Sequence, residues 1–517
     1  MSGLKSWVLA GTVVLVGCGE PGGLGLELRF ATLQQAQSSG LPDGIAGLEV
    51  ELLRWEDGDQ LDQLGCIDLD SEPDQRQGLS LDVVPGALRV VVRGYEDSAC
   101  SGEASWAGSS KRADVIEGEE LVVPVYVTLR GLALNPIRGS LPAGRAFATA
   151  TPLPDGTVLV AGGFESLIQS QAGSAAQMAA SCEALIYDPG QGRFLSTVVP
   201  MLACRGLHQA VALADGSVLL VGGSQSAKLD PFGQTRPALL PDVGGLVGVV
   251  ERYDPALGRF VQVASSDALA RASAAVALID GADERLLVAG GRTTQSWRSD
   301  DIMLGAASTA SQWSFESASL LAPRIGAQAV SCGGGVLVYG GNEYEAALLE
   351  RVDPDSLLST DLEIEGQAVA GHSFQGAEQT DGSYLAWVAG GLPDQSGSSP
   401  RSEMLRIGWI AGSGFDFQPQ ARTLLRARAY HLALQIQGAD PGWVFAGGLG
   451  ASMWGRDDLE LHRTGDEASM LEGTLSTGSL GSAGALLPDG SWLLAGGVHV
   501  DADYRIELSA EAELLSP

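Results

Sequence analysis

Two hydrophobic patterns follow one another along the chain. Between residues 26 and 131, apolar and polar residues alternate in runs such as "LELRF", "GLEVELLRW", "ALRVVVRGY" and "ELVVPVYVTLRG". Period-two alternation bounded by turn residues predicts half-buried strands, and together they predict a β-sandwich of about 100 residues ending near Gly131. From about Arg145 the apolar runs shorten, and each closes on a glycine pair. The stretches "LPDGTVLVAGG" (153–163), "LADGSVLLVGG" (213–223) and "LPDGSWLLAGG" (487–497) are near copies of one another.

Glycine pairs recur at 162–163, 222–223, 290–291, 340–341, 390–391, 447–448 and 496–497. The intervals of 60, 68, 50, 50, 57 and 49 residues are those of a repeat array with insertions of variable length. A phosphate cradle would need its glycines at a strand-to-helix junction, facing a helix N-terminus. Here every pair leads into more strand-and-turn sequence, and no Gly-Lys-Ser or Gly-Lys-Thr occurs. The glycines therefore read as the sharp end of a strand, where a side chain would force a left-handed conformation costing about 1–2 kcal/mol.

Other features keep step with the glycines. Arg145, Arg205, Arg271, Arg324 and Arg428 each lie 16 to 19 residues ahead of a first paired glycine. Downstream, "EALIYDPGQGRF" (183–194) and "VERYDPALGRF" (250–260) repeat an acid, Tyr-Asp-Pro, a turn and Gly-Arg-Phe, with "LERVDP" (349–354) a third copy and "AEAELLSP" (510–517) a worn fourth. These features resemble the kelch repeat, over roughly 370 residues. The resemblance implies an all-β chain in which a seven-bladed kelch-type β-propeller follows the small sandwich. The fifth and seventh units depart from the pattern in lacking the arginine. The last unit ends after its third strand, and "LRGLALNPIRG" (129–139), between the sandwich and the first unit, is available as its fourth. Closing the array that way removes exposed sheet edges.

The first eighteen residues, "MSGLKSWVLAGTVVLVGC", carry one charge, at Lys5, and an apolar run of signal-peptide length from Trp7 to Val16. Leu15-Val16-Gly17-Cys18 resembles the lipobox of bacterial lipoproteins, which implies lipidation of Cys18, anchoring through several acyl chains, and a place in the cell envelope at the outer membrane or cell surface. The expected order is leader 1–17, glycine-rich tether 18–25, sandwich 26–131 and propeller 132–517. An envelope location also permits disulfides. Cys66 with Cys100 and Cys182 with Cys204 are the expected pairs, and Cys332 is left as a buried thiol.

Composition narrows the function. The chain has 517 residues, 70 of them glycine, and a net charge of −32, which excludes a nucleic-acid partner because phosphate binding needs a basic face. No nucleophile elbow, zinc helix or Cys-x-x-Cys pair occurs, and no cofactor is implied. His208 and His431 follow repeat arginines by three residues and read as parts of strands. "DLDSEPD" (68–74) begins like a calcium loop, but Pro73 takes the glycine position and Leu79 the terminal glutamate position.

Two functions remain. One is a surface-anchored binding module that takes a protein or glycan on the propeller face and touches the membrane only through its lipid. The other is a carbohydrate-active or galactose-oxidase-like enzyme, although no tyrosine–histidine set accompanies Cys332. In kelch domains that grip peptides, arginines at the repeat position face the channel mouth. Arg145, Arg205, Arg271, Arg324 and Arg428 are thus candidate ligand-binding residues, whose planar forks suit carboxylates. The alternative is that each pairs with an acid such as Glu251 or Glu350 and fastens the repeats together.

Overall fold

The computed structural model describes residues 5–9, 12–16, 24–30, 45–56, 59–68, 85–116, 121–196, 200–230, 239–279, 284–309, 312–341, 347–364, 366, 369–379, 382–393, 399–436, 441–451, 454–463, 468–471, 473–478, 480–501 and 503–516. Cys18, the tether around it and most of the 68–74 loop lie outside them. The chain is all-β; apart from two single 3-10 turns, Val243–Gly245 and Asp267–Leu269, no helix occurs among the described residues.

The amino-terminal strands join in one continuous sheet of nine. Its order is Lys5–Leu9, Thr12–Val16, Leu24–Phe30, Leu121–Leu129, Trp106–Ser109, Gly86–Tyr95, Gly47–Arg54, Gln60–Asp68, with Ala113–Val115 paired to Gly86–Tyr95. Leu24–Phe30 and Leu121–Leu129 run parallel. The alternation read from the sequence sends Leu26, Leu28, Leu48, Val50, Leu52, Val90, Val92 and Val125 into one core. The stretch expected to be a leader contributes the two strands at one edge, so its removal would leave Leu24–Phe30 as the edge strand.

Each glycine pair of the repeat region closes the second strand of a four-stranded sheet. The first of these sheets runs Thr149–Pro152, Val158–Ala161, Ala184–Asp188, Arg193–Ser196, in chain order. Six more follow the same order, with second strands Val218–Val221, Arg285–Ala289, Gly335–Tyr339, Tyr384–Ala389, Gly442–Ala446 and Trp492–Ala495. The seventh is completed from the other end of the repeat region: Ala133–Pro136 pairs antiparallel with Ala512–Ser516, as the stretch at 129–139 was expected to do. Asn135 locks this seam by hydrogen bonding Leu129 and the Ser516 hydroxyl.

The first strands of the seven sheets touch in succession: Thr149–Pro152, Gln209–Ala212, Ala275–Ile279, Gln328–Cys332, Ser373–Glu378, Leu432–Ile436 and Ala483–Leu486, which returns to Thr149–Pro152. Alternate residues of each second strand enter the cores on either side. Val158 and Val160 pack with the seventh sheet, for example, and Leu159 and Ala161 with the second.

Just ahead of the first strands, Phe147, Leu207, Ser273, Gly326, Gly371, Tyr430 and Gly481 all have positive φ. Backbone hydrogen bonds run between these residues from sheet to sheet: Phe147 N to Gly481 O at 2.7 Å, Leu207 N to Phe147 O at 3.3 Å, Ser273 N to Leu207 O at 3.2 Å, Gly326 N to Ser273 O at 2.8 Å and Tyr430 N to Gly371 O at 2.5 Å. At the four non-glycine positions the strained conformation is tolerated because it brings the residue's N–H onto its neighbour's carbonyl.

The amino-terminal sheet sits on the hairpin turns of the first and seventh repeat sheets. Arg89 Nη1 donates to Pro488 O at 2.6 Å, Arg112 N to Asp155 O at 2.8 Å, and Lys111 Nζ lies 3.2 Å from the buried Asp188 carboxylate. These turns lie at the opposite end of the strands from the glycine pairs, so that the Gly-Gly end faces away from the amino-terminal sheet.

Candidate functional site

The Gly-Gly ends are where backbone from successive sheets meets. Both glycines of every pair have positive φ, from 60° at Gly162 to 103° at Gly391 and Gly497. The second glycine donates its N–H to a carbonyl of the next sheet: Gly163 to Arg205 (2.9 Å), Gly223 to Arg271 (2.8 Å), Gly291 to Arg324 (2.8 Å), Gly341 to Val369 (2.9 Å), Gly391 to Arg428 (2.8 Å) and Gly497 back to Arg145 (2.7 Å). A Cβ on Gly162, Gly222 or Gly496 would come closer than 3.0 Å to the same carbonyl. Two constraints, conformation and proximity, thus demand glycine.

The repeat arginines reach into this junction from below. Arg205 donates through Nη1 to Gly222 O (2.9 Å), and through Nη2 to Val249 O (3.1 Å) and Glu251. Arg324 donates to Gly340 O (2.6 Å) and Ala347 O, and through Nε and Nη2 to one oxygen of Glu350 (3.1 and 2.6 Å). Arg428 donates to Gly447 O (3.0 Å), Asp458 (3.0 Å) and Glu460 (3.2 Å). In these three sheets the glutamate, like the arginine, is fully buried. Each glutamate also accepts two consecutive backbone N–H groups from the residues just ahead of its arginine: Leu202 and Ala203, Leu321 and Ala322, Leu425 and Arg426.

In the first and third sheets the acid sits at the rim instead. Arg145 pairs with Glu183 at 3.2 Å and Arg271 with Asp301 at 3.8 Å; these acids are 57% and 56% exposed. The seventh sheet keeps the acid without the arginine: Glu513 accepts from Ser476 N, Thr477 N and the Thr477 hydroxyl. Desolvation lowers the pKa of Arg205, Arg271, Arg324 and Arg428, and the neighbouring carboxylates oppose it. For Glu460, burial works against ionisation, but hydrogen bonds from His462 and Leu425 N and the charge of Arg428 hold its pKa below the usual value.

This placement corrects the expectation that Arg145, Arg205, Arg271, Arg324 and Arg428 offer guanidinium groups to a ligand. All five are 0–1% exposed, and their donors are directed at carbonyls and acids of their own repeats. The alternative fits: Arg205 fastens Glu251, and Arg324 fastens Glu350.

The histidines are also internal. His208 Nε2 lies 2.9 Å from the Thr149 hydroxyl of the preceding sheet, and His431 Nε2 lies 3.0 Å from the Ser373 hydroxyl. Burial pushes the His208 pKa down to about 3 and that of His372 to about 4, so both are neutral at pH 7. Cys66–Cys100 and Cys182–Cys204 are bonded as expected, the latter tying the start of a third strand to the loop of Arg205. Cys332 is buried outside both disulfides, in a core with Leu337 and Phe374. Among the described residues, no three His, Cys, Asp or Glu side chains converge as a metal site would require.

The surface above the junctions differs in character. Insertions after the first two glycine pairs build an extra four-stranded sheet from Phe164–Gln169, Ala176–Ala180, Ser226–Leu229 and Leu239–Pro241. Its Met178 and Leu229 pack in one core with Leu449, Val498 and Ile506. This sheet exposes its own Ile168; around it, segments that follow glycine pairs expose Val243, Trp297, Trp454 and Tyr504, and Leu202, Leu321 and Leu425 are exposed three residues ahead of repeat arginines. Trp454 and Tyr504 meet edge to face at 6.3 Å, and the Arg292 guanidinium lies 4.2 Å from the Trp297 ring centre. Sequence reasoning missed these aromatics. Their signal is positional, since each lies six or seven residues beyond a glycine pair.

No protein-family model matches the chain, and no curated protein is similar to it.

Proposed function

We propose that the chain is a lipid-anchored envelope protein in which a seven-bladed kelch-type propeller serves as an interaction module. Its partner, a protein or a glycan, would dock on the Gly-Gly face. The cyclic order of the seven sheets and the strand shared between the two ends of the repeat region support the propeller. The observation that carries the function is the exposure of Trp297, Trp454 and Tyr504 on loops that follow glycine pairs at that face, with Trp454 and Tyr504 in contact. Aromatic side chains with polar handles, set among aliphatic ones and near an arginine, have the composition of binding hot spots. The face is turned away from the amino-terminal sheet, which leaves it open to a partner. The buried arginines below keep its loops at fixed spacing, and a surface organised in advance loses less entropy on binding.

The test is capture of partners by the anchored full-length chain in its native envelope, by cross-linking. The triple variant Trp297→Ala, Trp454→Ala, Tyr504→Ala is expected to lose most of the cross-linked species. Leu358→Ala, an exposed apolar position at the far end of a repeat, is expected to retain them. Equal capture by the triple variant and the parent would remove this face from consideration.

A further inference from the structure

One junction between repeat sheets is built unlike the others. Six are sealed by extended aliphatic cores, such as Leu213, Leu219, Val221, Leu286 and Val288 between the second and third sheets. Between the fifth and sixth sheets the buried apolar set shrinks to Ala389, Met404, Leu424 and Phe445. Beyond these four the two sheets part around a cavity of about 370 Å³ that opens toward the hairpin-turn end, away from the Gly-Gly face.

The walls follow from strand register. In the fifth sheet Trp387, Arg406 and Gln418 lie side by side across three strands, and Arg422 is the cross-strand partner of Met404. In the sixth sheet Gln435, Trp443 and His462 form the facing row. Trp387 stands where five other sheets carry leucine: Leu159, Leu219, Leu287, Leu337 and Leu493. Two half-buried indoles thus line one cavity where the repeat pattern calls for small aliphatic packing.

The polar groups give the cavity a sign. Arg406 is paired with Asp416 at 3.2 Å. Arg422 donates through Nη1 to the Arg463 carbonyl and has no carboxylate partner among the described residues. A half-buried guanidinium without a counter-ion among the described residues is unusual in a chain of net charge −32. His462 closes the floor, its Nε2 held by Glu460 at 2.6 Å, so the ring is fixed in place. Gln435 adds an amide.

We propose that this cleft binds a hexuronate, a sugar ring bearing a carboxylate, held between Trp387 and Trp443 with its carboxylate on Arg422. Each part of the ligand answers a group on the page. The C–H face of a pyranose is apolar and buries against an indole. A planar guanidinium takes a carboxylate through two parallel hydrogen bonds. Amides donate and accept at once, which suits hydroxyls. The volume lies at the small end of the range of small-molecule sites, about 300–1,000 Å³, and accommodates a short saccharide rather than a folded partner. This site is independent of the Gly-Gly face.

The purified full chain is titrated calorimetrically with glucuronate and galacturonate, and with glucose and galactose as neutral counterparts. At least one uronate is expected to bind saturably, at least tenfold more tightly than its neutral counterpart. Arg422→Gln and Trp387→Leu are each expected to weaken binding at least tenfold. Trp387→Leu installs the residue that this position holds in five other sheets, so its thermal unfolding should match the parent's. Leu257→Ala, exposed in the turn between the third and fourth strands of the second sheet and outside both surfaces, should bind uronate like the parent. Absence of saturable uronate binding, equal affinity for the neutral sugar, or parental affinity in both cleft variants would overturn the proposal.

Discussion

Replacing Arg324 with methionine isolates what the buried arginines do. In the parent, Arg324 and Glu350 are both fully buried, and the guanidinium bonds Gly340 O, Ala347 O and a single oxygen of Glu350. Methionine fills much of the space but leaves Glu350 charged, out of water and short of its counter-ion. Its remaining donors are Leu321 N, Ala322 N and the Ser359 hydroxyl. Breaking one side of a buried pair costs about 3–5 kcal/mol, a large part of the 5–15 kcal/mol that holds a typical domain folded. Arg145→Met removes an arginine just as buried, yet leaves Glu183 more than half exposed and able to hydrate. Its cost should be that of lost hydrogen bonds, about 1–2 kcal/mol. The assay is equilibrium unfolding in urea followed by both tryptophan fluorescence and circular dichroism, because coincident transitions are needed before a free energy is assigned. The double variant Arg324→Met, Glu350→Gln completes a cycle whose coupling should be about 1–3 kcal/mol. Equal losses for Arg324→Met and Arg145→Met, or no loss for Arg324→Met, would refute the claim that burial of the acid sets the penalty.

Deleting residues 132–140 removes Ala133–Pro136 from the seventh sheet and bares the Ala512–Ser516 edge; a lower unfolding midpoint and concentration-dependent aggregation are expected, and an unchanged melt would count against the closure. Stability should also fall in mild acid. His208 has a folded pKa of about 3, below its unfolded value near 6.5, so the unfolded state binds the extra proton as pH drops. Its share of stability is intact above pH 6.5 and declines by about 1.4 kcal/mol per pH unit from there toward pH 3; His208→Gln should flatten the pH profile measured by urea midpoints. Cys18→Ala should release the chain from membranes in detergent partition without altering its circular dichroism. Non-reducing peptide mapping should recover the 66–100 and 182–204 links alone, and reducing them should cost roughly 3–4 kcal/mol each on the chain-entropy model.

Local features of the sequence determined a good deal here. Period-two runs marked the strands, because side chains on a strand alternate between faces whatever the surroundings. The glycine pairs marked their ends, because no other residue accepts positive φ together with a carbonyl closer than 3.0 Å to the Cβ position. A last repeat one strand short pointed to 129–139 as its completion, and Ala133–Pro136 lies there. What the arginines do was not local. Arg145 and Arg324 occupy the same place in their repeats, yet one faces a rim acid and the other a sealed one. The difference lies in which third-strand residue falls in register beside the second strand, Glu183 just ahead of Ala184 or Glu350 opposite Val338. The cleft depends still more on tertiary structure. Trp387 and Trp443 belong to different sheets and share one cavity only because adjacent sheets turn opposite faces to each other. Side-chain direction along a strand is set by the chain itself; what waits on the other side is set by packing, and that decided which charges were buried and which faces were left to bind.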